Sequence, residues 1–421
     1  MILKMVSSQQ KRYKMKNKQI ELLAPAGDME KLKTAIHFGA DAVYFAGKNY
    51  GLRAFGTNFE TFSIAEAMKY IHDHGKKGYV TINVYARHND FDNLKSYVQS
   101  LIDAHVDAVI VSDLGIFSYI HENFPNLEIH ISTQANTTNA YAAKMWHKLG
   151  AKRVVLAREL NIDEIKNISN SNPNLDIEAF VHGAMCISYS GRCLLSNYLT
   201  NRDSNHGECV QACRWKYSVT EESRPEDKFD LLEDDRGTYI FNSKDLCLID
   251  YIDKIAEAGV NSFKIEGRMK SPYYVATVVN TYRRAIDAYL KSIKEKKPYK
   301  KPEILNNELT KASHRKYTTG FMFADGKPTQ NYETSIQEQD SKFMAIVLKT
   351  EPGKILVEQR NKFAIGDTLE ILSPNDLFQM KIKVDRIEDE NGTSLSEAKM
   401  VQQKIWIYTN LPLEVGDILR K

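Results

Sequence analysis

Ala140-Tyr-Ala-Ala-Lys-Met-Trp-His-Lys-Leu-Gly-Ala-Lys-Arg-Val-Val-Leu-Ala157 reads as one helix, one stop and one strand. Ala142, Met145, Trp146 and Leu149 recur at three- and four-residue spacing, the period of a helix with a single apolar face. Gly150 supplies a left-handed C-cap, and the short β-branched run that follows begins a strand. The same punctuation recurs in His37-Phe-Gly-Ala-Asp-Ala42 and Ala258-Gly-Val-Asn261.

Outward from this stretch, apolar runs alternate with amphipathic ones from Ile20 to about Leu290. The runs are Ile20–Ala24, Ala42–Ala46, Gly78–Asn83, Ala108–Ser112, Glu128–Ser132, Arg153–Ala157, Asp176–Val181 and Ser262–Glu266. Helical patterns cover Met29–Phe38, Ile64–His74, Phe91–Ala104 and Ala140–Leu149. Eight strands, each followed by a helix, predict an α/β fold of the TIM-like (β/α) barrel type; an open doubly wound sheet is the alternative that strand counting leaves standing.

The chain has 421 residues, 43% of them hydrophobic and 26% charged, with a net charge of +3. That length suits roughly two or three domains, and the near-neutral charge leaves any nucleic-acid binding to local patches. Residues 1–19 carry six cations and no run of secretory or membrane-spanning length, which predicts a flexible basic arm on a cytoplasmic protein without membrane contact. Residues 20–290 form the predicted barrel. The span 291–341 is a charged, solvated linker and a bridging segment. From 342 to 421, short alternating runs separated by turn signals such as Pro352-Gly353 and Asn391-Gly392 predict a small all-β barrel.

After the seventh strand the periodicity stops. Between Gly183 and Tyr239 lies a long insertion at the C-terminal edge of a barrel strand, where this fold places its chemistry. It holds Cys186-Ile-Ser-Tyr-Ser-Gly-Arg-Cys193 and Cys209-Val-Gln-Ala-Cys213; Cys247, the last of five cysteines, follows. An odd count argues against a disulfide framework. Thiolates are soft ligands for zinc or an iron–sulfur cluster; only Cys209 and Cys213 have the close spacing of a zinc knuckle, so the group favours a cluster over zinc or structural thiols.

The string Glu178-Ala-Phe-Val-His-Gly-Ala-Met-Cys186-Ile-Ser-Tyr-Ser-Gly191-Arg-Cys193-Leu-Leu-Ser196 resembles the signature of the collagenase-like peptidase family of unassigned catalytic type. Leu23-Ala-Pro-Ala-Gly-Asp28, Gly39-Ala-Asp-Ala-Val-Tyr44, Asn242-Ser-Lys-Asp245 and Lys264-Ile-Glu-Gly-Arg268 extend the resemblance over nearly the whole chain. Asn197 to Cys213 with Arg214-Trp215 is most similar to the branch that hydroxylates tRNA. The resemblance implies formation of 5-hydroxyuridine at a wobble position, dependent on prephenate, with tRNA as partner. It also implies a 4Fe-4S cluster held by Cys186, Cys193 and Cys209, with Cys213 or the alternative Cys247 as the fourth ligand. An electron donor or a second family member is a further implied partner.

A cysteine peptidase, the rival enzyme class, needs a thiolate paired with a histidine; His182 near Cys186 and His206 near Cys209 permit such a dyad on paper. It leaves the other cysteines without a role. No pair of histidines one turn apart with a glutamate supports a zinc peptidase. A non-catalytic RNA-binding accessory protein is the rival outside enzymes.

Candidate substrate contacts are polar residues at predicted strand ends: Asp28, Asn83, Gln134, the pair Arg158-Glu159, Glu266 and Arg268. Some such positions serve instead as helix caps. Arg53, Arg192 and Arg268 offer guanidinium forks to the carboxylates of an acid such as prephenate. Tyr189, Tyr198, Trp215 and Tyr217 flank the cysteines and suit stacking on a splayed-out base or shielding of a cluster.

Overall fold

The computed structural model describes residues 20–47, 50, 61–186, 188–190, 192–200, 202, 209–210, 212–214, 233–234, 237–238, 244–323 and 338–421. The arm 1–19 lies outside the described residues, as do Arg53, His206, Trp215 and Tyr217.

The strands are β1 (Glu21–Pro25), β2 (Ala42–Phe45), β3 (Lys77–Ile82), β4 (Ala108–Val111), β5 (Glu128–Ile131), β6 (Arg153–Val155), β7 (Asp176–Ala184), β8 (Asp245–Cys247) and β9 (Ser262–Ile265). Strands β1 to β7 pair in sequence order, all parallel, and β9 pairs with both β7 and β1, so the sheet closes. This is the predicted barrel, and closure excludes the open sheet. Helices α1 (Met29–His37), α2 (Thr61–Asp73), α3 (Leu94–Asp103), α4 (Leu114–Asn123), α5 (Ala140–Leu149) and α6 (Ile162–Ser171) follow the first six strands. The side-chain oxygens of Asp28, Asp113, Asn139 and Asn161 accept from backbone N–H groups in the first turns of α1, α4, α5 and α6. Those groups have no partner within the helix, which is why short polar residues sit at each strand-to-helix turn.

Two features depart from the expected repeat. The seventh strand runs past Val181 to Ala184, and its end takes the antiparallel β8 as a neighbour, with Cys247 opposite His182. The Cys-containing insertion carries a short helix, α7 (Leu195–Thr200), and a tight turn at Ala212–Arg214. After α8 (Ile252–Glu257), helix α9 (Pro272–Glu295) continues beyond the expected boundary at residue 290. The lysines that follow are mostly exposed, as expected of a charged run, but Leu305, Leu309 and Ala312 are buried in the barrel's core cluster. The bridging segment that follows the linker is packed, with Leu309–Lys311 against α9, and it adds β10 (Tyr317–Thr318) to the sheet beside β8.

The inside of the barrel is charged at one level. Glu178 is fully buried and receives Lys264 Nζ at 2.8 Å and Arg153 Nη1 at 3.1 Å. Arg153 also reaches Glu21 Oε1 at 2.5 Å, and Tyr79 donates to Glu21 Oε2 at 2.7 Å. Buried charges persist only when paired and hydrogen-bonded in this way.

The C-terminal part is all-β. An antiparallel eight-stranded sheet spans Phe343–Glu351 to Ile418–Arg420 and encloses its own apolar core, including Val347, Val357, Leu369, Ile387 and Ile405. It is docked on the barrel: Leu372, Phe378 and Ile418 join the barrel's core. Arg420, fully buried, meets Glu308 at 2.6 Å and Glu370 at 2.5 Å, and His37 Nε2 lies 3.0 Å from Asp417. Among the described residues no helix is long and apolar enough to cross a membrane.

Candidate active site at the barrel mouth

Side chains at the C-terminal ends of the strands converge on one cavity of about 220 Å³, on the face where such barrels carry their chemistry. Its wall has two halves. Arg158 after β6, Phe180 on β7, and Lys264, Glu266 and Arg268 on and after β9 form a charged half. Thr81 and Asn83 from β3, Ile110 from β4, and Ser132, Thr133 and Gln134 after β5 form an uncharged one. Cys186, Ser190, Cys193 and Cys209 reach the cavity from the insertion.

In the charged half, Arg158 lies over the Phe180 ring at 3.9 Å, donates to the Ala184 carbonyl at 3.0 Å and approaches Glu266 Oε2 at 3.4 Å. Lys264 is held by Glu178 from below and lies 4.3 Å from the Tyr44 ring centroid. Gly183 lets β7 and β9 come this close: its φ is +109°, and a Cβ there would sit 2.5 Å from the Glu266 carbonyl oxygen. Gly183→Ala is therefore expected to cost about 2–4 kcal/mol, from left-handed strain plus a backbone clash, read as a lowered Tm together with weakened substrate binding as Glu266 is displaced.

In the uncharged half, the Gln134 carbonyl accepts from Tyr85 Oη at 2.7 Å and from Asn136 Nδ2 at 2.8 Å. Asn136 has the left-handed conformation, φ 52° and ψ 49°, uncommon for a residue with a side chain, and its amide also reaches the Ser190 carbonyl at 3.4 Å. It thus ties the β5 loop to the stretch between Cys186 and Cys193. Among the described residues, Gln134 Oε1 and Thr81 Oγ1 are buried and find no hydrogen-bond partner.

Three of the five cysteines, Cys186, Cys193 and Cys209, line the cavity. Cys213, in the Ala212–Arg214 turn, is half-buried and is not among the lining residues. Cys247 lies on β8 beside the Tyr282 hydroxyl, where burial pushes its thiol up to about 11. The donor chemistry suits a thiolate-bound iron cluster. Among the described residues, however, no three His, Cys, Asp or Glu side chains stand within one metal-binding shell as placed. His182 gives no support to a Cys–His dyad: its ring is packed against Tyr274, Tyr282 and Tyr317, and burial holds it down at about 3. The Cys186 thiol meets Ser188 Oγ at 3.7 Å.

Of the residues expected from sequence, Asn83, Gln134, Arg158, Glu266 and Arg268 reach the cavity, whereas Glu159 is not among its lining residues. Asp28 does not; its carboxylate caps α1 through Lys31 N at 2.9 Å. Arg192 lies outside the lining and over the Tyr85 ring at 5.1 Å. Tyr189 and Tyr198 are exposed. Tyr44, Thr81, Ser132, Thr133 and Lys264 were missed. The strand period of two held the signal for several of them, since Thr81 lies two residues before Asn83, Ser132 two before Gln134 and Lys264 two before Glu266.

Comparison with known proteins is consistent over the whole chain. Residues 27–332 match the model of peptidase family U32, and residues 339–420 match the peptidase family U32 C-terminal domain. A protein of Bacillus subtilis (strain 168) named tRNA hydroxylation protein P1 is 39% identical over 96% of this chain and 95% of its own length. The tRNA hydroxylation protein P of Escherichia coli (strain K12) is 35% identical over 94% and 95%. A Porphyromonas gingivalis (strain ATCC BAA-308 / W83) protein named collagenase is 38% identical over 64% of this chain and 66% of its own. With both of its parts matched, the chain belongs to peptidase family U32.

Proposed function

We propose that this protein hydroxylates tRNA, forming 5-hydroxyuridine at a wobble position. The observation that carries the reading is that three thiols line the same small mouth cavity as the convergent polar groups. Relatives matched nearly end to end and named for tRNA hydroxylation support it. A cavity of about 220 Å³ among the described residues suits a small ring or acid.

Cys186, Cys193 and Cys209 would hold a 4Fe-4S cluster, and the fourth thiolate would come from Cys213, which shares the insertion with them, or from Cys247, fixed by β8 beside the end of β7. Bound there, the cluster would supply one-electron redox chemistry at the cavity wall. This calls for an electron carrier or a second family member as partner. Arg158, Lys264 and Arg268 present the positive charge that the carboxylates of a co-substrate such as prephenate require.

Nucleoside analysis of tRNA from a strain lacking the gene tests the reading. Loss of 5-hydroxyuridine, restored by the wild-type gene, is expected; an unchanged level in a strain without a second family member refutes it. Cleavage of gelatin by the purified protein with normal 5-hydroxyuridine in the deletion strain favours the peptidase reading instead.

A further inference from the structure

We infer that the rim beside Cys193 is a stacking surface for the RNA, where Tyr189 and Tyr198 receive the unpaired bases next to the target nucleotide. The inference rests on the hydroxylase reading above and adds the surface that holds the RNA and the contact it makes.

Tyr189, Leu194, Tyr198 and Leu199 are 47%, 52%, 83% and 47% exposed. Singly exposed apolar side chains are ordinary, but four in one short stretch mark an interaction site. Tyr198 N donates to the Leu194 carbonyl at 3.0 Å, which puts these two side chains on one helical face. The stretch borders the cavity, since Tyr189 and Leu194 are chain neighbours of Ser190 and Cys193, which line it. It is also pinned to the barrel. Asn136 Nδ2 reaches the Ser190 carbonyl at 3.4 Å, and Arg192 lies over the ring of Tyr85, whose hydroxyl donates to the Gln134 carbonyl.

Exposure decides between the two roles that these tyrosines suit. A ring that shields a cluster is covered, and Tyr198 is open to solvent. An RNA whose target base enters the cavity brings its neighbouring nucleotides to the rim, because the polymer continues on both sides of that base. Splayed bases of single-stranded loops stack on aromatic side chains, and every base has a face to offer. Charge fits the same partner: from Cys186 to Arg202 the chain has two arginines and no aspartate or glutamate, and Arg192 is exposed. Four apolar side chains fall well short of the roughly 20 to 30 residues a side of a stable protein interface, whereas two tyrosines are enough to seat two bases.

The test measures binding of a fluorescein-labelled anticodon stem-loop RNA to the anaerobically purified full-length protein, with 2-aminopurine placed on one side or the other of the target uridine. Tyr189→Ala and Tyr198→Ala are each expected to weaken binding roughly 5- to 100-fold, the worth of one stacked base, and each to relieve on one side the quenching of 2-aminopurine that wild type produces. Tyr198→Phe keeps the ring and should bind within about twofold of wild type. Arg192→Gln should reduce the slope of log Kd against log salt by about 0.7, the loss of one phosphate contact on a single strand. Val401→Ala, which trims an apolar side chain 88% exposed in the C-terminal part, should leave binding unchanged. Wild-type affinity in both tyrosine-to-alanine variants, or an equal loss in Val401→Ala, overturns the inference and leaves the hydroxylase reading intact when the deletion strain lacks 5-hydroxyuridine. Normal RNA binding with lost self-association, seen by light scattering, also overturns it and assigns the surface to a second copy of the chain. A wild-type protein that binds no RNA, with 5-hydroxyuridine normal in the deletion strain, overturns both.

Discussion

Glu178→Ala is expected to lower stability by about 3–5 kcal/mol, the cost of leaving buried charges without their partner. Glu178 is fully buried, and its two oxygens are shared between Lys264 at 2.8 Å and Arg153 at 3.1 Å, with Ser262 Oγ at 3.1 Å. Its removal takes the paired carboxylate from an ammonium that is 4% exposed inside a closed barrel, and leaves the Arg153 guanidinium with Glu21 alone. Thermal unfolding followed by circular dichroism should show Tm lower by about 10 °C; a shift under 2 °C would mean that water reaches the site and replaces the carboxylate. The same group shapes acid sensitivity. Burial by itself pushes the Glu178 carboxyl up, but Lys264 and Arg153 outweigh it and bring the value down to about 2 from the ordinary 4.5. The folded chain is then harder to protonate than the unfolded one. The stabilisation is full above pH 4.5 and is lost as pH falls towards about 2. Glu178→Gln should flatten that part of the stability curve.

Cys193→Ser carries the largest expected functional effect. A serine hydroxyl nearly matches the thiol in shape but is a hard, protonated oxygen at neutral pH, a poor substitute for a thiolate on iron. Anaerobically purified Cys193→Ser protein should lose most of its iron and its visible absorption, and the gene should not restore 5-hydroxyuridine to a deletion strain. Cys186→Ser and Cys209→Ser should behave alike. None should lower Tm of the apo chain by more than about 1 kcal/mol equivalent, since Cys186 and Cys209 are exposed and Cys193 is half-buried. Full iron retention in all three variants would sink the cluster assignment. Between Cys213→Ser and Cys247→Ser, the variant that loses iron names the fourth ligand.

The barrel was legible because its signals are local. Alternating apolar runs, glycine stops such as Gly150 and capping residues such as Asn139 and Asn161 each act within a few residues, and the eight strands fall where those patterns place them. Asp28 shows the limit of the same reasoning: a carboxylate at a strand end satisfies either a substrate or the next helix, and the choice depends on how the turn folds.

Local pattern was enough for the order and type of the barrel elements, for the all-β C-terminal part and for the position of the cysteine insertion after β7. Barrel closure settled the rest. The contacts of β9 with β1 and β7 bring Lys264 to Glu178, 86 residues apart, and Ser262 to Glu21, 241 apart. No periodicity encodes which inward side chains will meet across a closed sheet. For the same reason Thr81, on β3, and Gln134, in the turn after β5, line one cavity only once the ring is complete, and the pairing of β8 with β7 puts Cys247 opposite His182.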